Sequence, residues 1–156
     1  MQTRLDMKRP PAYFALDMSA RHWRTPAMTP DSALAMYQGH GGLARADEVV
    51  ERLRPHHNQP MSRLARWIAG REVLSINVRG ELWLPLFQID LDVGSIRPEA
   101  LQVFATLTPA FDSWELGSWF VEPNAWLDGD RPVCRFSQDA SSVLQAARTD
   151  RFVALG

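Results

Sequence analysis

Arg63 and Arg66 stand three residues apart in SRLARWIAG. On a helix such a step leaves two guanidinium groups neighbouring on one face, a pairing suited to phosphates or carboxylates. Other residue types invite other chemistry and fail for lack of partners. His56 and His57 are adjacent, but no nearby cysteine completes a zinc set. Cys134 is the single cysteine, with no Cys–His partnership in its local motif, and reads as a packing residue or a surface thiol. His40-Gly41-Gly42 has the look of an oxyanion loop, yet no G-x-S-x-G elbow occurs anywhere. The LDGD turn at 127–130 lacks the further oxygen donors of a calcium loop. With no paired carboxylates in context and no Gly-rich phosphate loop, the residues point to binding and away from an enzyme, with no cofactor or metal.

Composition frames that reading. The chain has 156 residues, 46% hydrophobic and 22% charged, enough for one compact domain or a small domain plus a module. No apolar run approaches the roughly 18–20 residues of a membrane span, and the N-terminus lacks the apolar stretch of a secretory signal. One cysteine fits a reducing, cytoplasmic setting. Charge is graded along the chain: residues 1–43 carry five Lys and Arg against three Asp and Glu, residues 44–88 seven against five, and residues 89–156 five against ten. A basic front draws phosphate-rich partners more than the acidic back does.

The elements that must position these groups follow from periodicity and punctuation. Residues 1–43, with Pro10, Pro11, Pro26, Pro30 and Gly39, Gly41 and Gly42, read as an arm or loosely packed extension. It has one short helix over 32–37 and is pinned by Tyr13, Phe14 and Trp23. Residues 44–90 contain a helix with Ala46, Val49, Val50 and Leu53 inward, ended by Pro55. A second helix is expected to be capped by Ser62 and stopped by Gly70, with Leu64, Trp67 and Ile68 on one face. VLSINV and ELWLPLF then flank a tight Arg79-Gly80 turn. Residues 91–156 are expected to hold a helix from Pro98 with Leu101, Phe104, Ala105 and Thr108 aligned. Next comes a helix capped by Asp112 and Glu115 with Leu116, Trp119 and Phe120 inward. A last helix over 139–148 keeps Val143, Ala146 and Ala147 inside, and a tail follows it. The fold class is mainly α with a short β-hairpin.

Two resemblances attach to these segments. "ADEVVERL…SRLARWIAGREVLSINVRGELWLP" resembles an excisionase/MerR-type winged helix-turn-helix. That resemblance implies double-stranded operator DNA as a partner, with Ser62, Arg63, Arg66, Arg71 and Arg79 as contacts. FDSWELGSWFVEPNAWLDGDRPV…VLQAAR looks like the toxin-binding domain of Xre/MbcA/ParS-type antitoxins, through Trp119-Phe120, Pro123-Asn124, Leu127, Gly129, Pro132 and Ala146-Ala147-Arg148. PLFQID at 85–90 is similar to the joining segment of some members, so the likeness spans roughly residues 60–150. The winged front half departs from the larger Xre-type helix bundle.

What this second resemblance implies is an autorepressing antitoxin, commonly a homodimer, that docks on and neutralises a RES-domain toxin, an enzyme consuming NAD or transferring ADP-ribose. The toxin-facing residues it suggests are Trp114, Asn124, Trp126, Asp128, Arg131, Arg148, Arg151 and Phe152. The alternative is a toxin-independent DNA-binding regulator or adaptor that uses the back domain for self-association or another partner.

Overall fold

The computed structural model describes residues 29–156; Tyr13, Phe14 and Trp23 lie outside them. Thr29 and Pro30 open the first described helix, α1 (Pro30–Gln38). The Thr29 side chain accepts from the Ser32 amide, and Pro30 fills the first position, where its missing N–H costs nothing. The helix is expected; its burial corrects the loosely packed reading of this segment. Tyr37 is completely buried, and its hydroxyl donates to the Gly117 carbonyl at 2.7 Å.

A strand, β1 (Leu43–Arg45), leads into α2 (Ala46–Leu53) and α3 (Pro60–Ala69). The α2 face is the expected one, with Val49, Val50 and Leu53 buried. The start of α3 is corrected: Gln59 is the N-cap and Pro60 the first helical residue, so Ser62 is an exposed first-turn residue. Proline's fixed φ sets the helix going three residues earlier than a serine cap would. Strands β2 (Ile76–Val78) and β3 (Glu81–Pro85) form the expected hairpin, with Val78 opposite Glu81. Positive φ at both Arg79 (53°) and Gly80 (83°) gives the turn whose twist matches paired strands. β1 adds to β3, making an antiparallel sheet of order β1-β3-β2.

A 3-10 turn (Leu86–Gln88) and a short ladder of β4 (Ile89–Asp90) with β5 (Ser95–Ile96) connect to the helical part. There follow α4 (Pro98–Leu107), α5 (Ser113–Val121), a 3-10 turn (Ala125–Leu127), α6 (Pro132–Phe136) and α7 (Ala140–Leu155). The architecture among the described residues is therefore mainly α, seven helices with a small antiparallel sheet. Asp112 and Glu115 close the reciprocal cap of α5 as expected.

Two expectations fail in this half. The inward face of α4 is Ala100, Val103, Phe104 and Leu107, while Leu101 is 38% exposed and Ala105 is exposed. The stripe is rotated by about one residue, or roughly 100°, because PEALQVFATL offers two apolar faces and contact with α7 selects one. The expected tail is helical instead, so α7 runs on to Leu155.

Buried residues form two clusters. The front one joins Val49, Val50 and Leu53 of α2 to Leu64 and Trp67 of α3 and Leu84 of β3. The back one gathers α1, α4, α5, α6 and α7 around Phe104, Trp119, Phe120 and Phe136. Ile76 and Val78 of β2 belong to the back cluster, so the sheet serves both. Gln88 ties the approach to β2 to the end of β3. Fully buried, it accepts from the Leu74 amide at 2.7 Å and donates to the Leu74 and Pro85 carbonyls at 2.8 and 2.9 Å. Such a buried amide is stable only because each polar atom is satisfied.

Candidate functional site

The arginine face of α3 keeps its sequence-read composition. His57, Asn58, Gln59, Arg63 and Arg66 line an open depression of ≈ 300 Å³ with no carboxylate in its lining. Among the described residues, neither Arg63 nor Arg66 is in an ion pair. Gln59 gives the first turn of α3 no side-chain cap, leaving the positive helix end beside two guanidinium groups. An anion is the chemically fitting guest.

The flanking histidines are not idle. The His56 Nε2 is 3.1 Å from the Leu91 carbonyl and the His57 Nε2 is 2.6 Å from that of Gly94. A ring N–H must donate in each, so the pair staples the 91–94 turn to the connection between α2 and α3. Gly94 has φ +71°, and a Cβ there would meet the His56 Cβ at 2.5 Å, so only glycine fits.

The other two candidate arginines have internal work. Gly70 caps α3 as expected, and Arg71 takes the left-handed position (φ 57°) just after it. Its guanidinium donates to the carbonyls of Thr108 at 3.2 Å and Phe111 at 2.7 Å, complementing the negative end of α4. Arg79 sits at the hairpin tip and pairs with Asp31 at 2.9 Å, both exposed.

The second candidate surface is organised by a residue that the sequence pattern does not single out. Asp150, on α7, accepts from the Trp119 indole at 2.7 Å, the Asn124 amide at 3.0 Å and the Trp126 indole at 2.7 Å. Burial pushes the Asp150 carboxyl above its ordinary range, and the three N–H donors pull part of the way back. Trp119, Asn124 and Trp126 thus converge on one carboxylate across 24 to 31 residues of chain.

The loop between α5 and α6 is held from within. The Asn124 Oδ1 accepts from the Trp126 amide, and Asp128 takes a left-handed φ of 59°. Arg131 donates to the last α5 carbonyl, Val121, at 2.7 Å. Asn124 and Arg131 therefore act inside the fold, whereas Asp128 is exposed. Trp114 is half-buried. Trp126 is 43% exposed, its indole N–H held by Asp150.

α7 has a divided surface. Val143, Ala146, Ala147 and Asp150 face inward. At 100° per residue, Arg148, Arg151, Phe152 and Leu155 fall on the opposite side. All four are exposed, Phe152 by 75% and Leu155 by 57%. Leu155 joins the three residues of this face expected from sequence; only a helix in place of the expected tail brings it there.

No group of three or more His, Cys, Asp or Glu among the described residues is placed to hold a metal ion. No described helix is long and apolar enough to cross a membrane. Compared with known proteins, the chain matches no family model, no curated protein and no solved structure.

Proposed function

We propose that this protein is an antitoxin-like binding protein that neutralises a RES-domain toxin through α7 and holds promoter DNA through α3. The observation that carries the reading is the outer face of α7, where a bare aromatic ring and a leucine stand among two arginines. Large exposed apolar side chains of this kind serve as interface anchors when guanidinium groups flank them. The partner's chemistry fits: an enzyme acting on NAD has a cleft for a cationic aromatic ring, and Phe152 beside Arg148 and Arg151 offers a ring with positive charge. Asp150 supports the same reading, because it joins the tryptophans and asparagine of the W…P-N…W pattern to the helix that would dock.

The experiment is co-expression with a RES-domain toxin encoded beside this gene. The expected result is restored growth and a preserved NAD pool; unchanged toxicity with the antitoxin folded and abundant overturns the proposal.

A second reading, a DNA-binding regulator without a toxin, is favoured by the α3 depression alone. Two arginines outside any ion pair among the described residues, and a helix N-terminus with no carboxylate in the depression's lining, suit a phosphate backbone. In a homodimer, two such helices would meet successive half-sites of a palindrome. Specific promoter binding by a chain with no toxin gene beside it would select this reading.

A further inference from the structure

His40 and Cys134, 94 residues apart in sequence, meet in the structure: the Cys134 Sγ lies 2.9 Å from the His40 Nε2. The other ring nitrogen, Nδ1, is 2.9 Å from the Met36 carbonyl and can only donate to it. That bond fixes the tautomer, leaving Nε2 as the free base toward the thiol. The result is a nucleophile, a base and a group orienting the base, the arrangement that activates cysteine in unrelated proteins. Both residues line a cavity of ≈ 550 Å³ with Phe87 and Phe136 on its wall and Arg97 and Glu99 also in its lining. Its volume is that of a small-molecule site. Among the described residues, the ionic partner of Arg97 is a loose one, Asp90 at 4.0 Å.

We propose that Cys134 is a reactive thiol, with His40 as its base, that is reversibly thiolated by low-molecular-weight disulfides bearing carboxylate and ammonium groups. Arg97 and Glu99 supply the complementary charges. In the reaction the Cys134 thiol gives its proton to His40 Nε2, and its sulfur attacks one sulfur of the disulfide. A new bond forms from Sγ to that sulfur, the original S–S bond breaks, and the departing thiolate takes the proton from His40. The protein sulfur is oxidised and the departing sulfur reduced, so no further oxidant is needed.

The test uses the full chain and oxidised glutathione at neutral pH, followed by intact-mass spectrometry. One glutathionyl adduct is expected, absent in Cys134→Ser, forming on the order of tenfold faster than exchange by a free small thiol. His40→Gln should bring the rate down to that of a free thiol while its thermal unfolding stays close to wild type. A wild-type rate no greater than a free thiol's overturns the proposal, and that comparison stands even if the His40 variant does not fold. Oxidised 2-mercaptoethanol, which carries no charge, should react more slowly than oxidised glutathione, and Arg97→Ala should narrow the gap. Equal rates for the two disulfides in the wild type overturn the assigned substrate class.

Discussion

α3 and α7 both present two arginines three residues apart, yet their surroundings differ in kind. Around Arg63 and Arg66 lie His57, Asn58 and Gln59, all polar. Around Arg148 and Arg151 lie Phe152 and Leu155, both largely exposed. A guanidinium pair in polar company gains affinity from anions and loses it in salt. The same pair beside bare apolar surface gains most of its affinity by excluding water, with charge setting orientation and encounter rate. Arginine spacing is therefore a weak guide to the partner, and the neighbours decide.

The comparison requires the two helices to be held by one body, and the largest expected effect tests that link. Gln88→Leu strands the Leu74 amide and the Leu74 and Pro85 carbonyls inside the protein, at about 3–5 kcal/mol of folding stability. Urea unfolding followed by tryptophan fluorescence should show the loss as one shift of the whole transition; a shift confined to one phase would separate the halves. Phe152→Asp should weaken toxin binding by about 3 kcal/mol, roughly a hundredfold, without moving the unfolding midpoint, since the ring is exposed.

Arg63→Ala and Arg66→Ala should each weaken DNA binding by about 1–2 kcal/mol. Each should also make the slope of log affinity against log salt shallower by about one, as one phosphate goes without its cation. Toxin binding in the same variants should be unaltered, and any change there breaks the separation between the helices.

The next test is one of sign. Asp150 has a folded-state pKa above its unfolded one, so the folded chain holds that proton more tightly. Stability from this group is then fullest below the unfolded carboxylate range and declines as pH rises through the folded pKa. Unfolding free energy should fall over that interval more steeply in wild type than in Asp150→Asn. The smallest effect belongs to Asp31→Ala. Its partner Arg79 is exposed, so stability should change by less than about 0.5 kcal/mol.

Local chemistry is legible in the sequence where it acts locally. The Asp112–Glu115 cap, the Arg79-Gly80 turn and the α2 stripe each depend on residues within four positions of one another. The α3 arginine face is legible for the same reason, although Pro60 moves its start. The face of α4 is not, because two apolar stripes compete and only packing on α7 decides between them. The polar groups whose partners lie far off in sequence, Gln88, Arg71, Asp150 and the His40–Cys134 pair, bond across 14 to 94 residues. Periodicity carries no trace of such distant contacts. Asp150 in particular sits within the expected tail, so its three donors stand out in sequence while their acceptor does not.

The central claim is that α7 carries the surface that restrains a toxin. Its most direct test is the rate of NAD consumption by a RES-domain toxin, the proposed partner, measured with wild-type chain and with Phe152→Asp at equal concentration. The account predicts that the wild type suppresses the reaction and the folded variant does not. Equal suppression by both would contradict it.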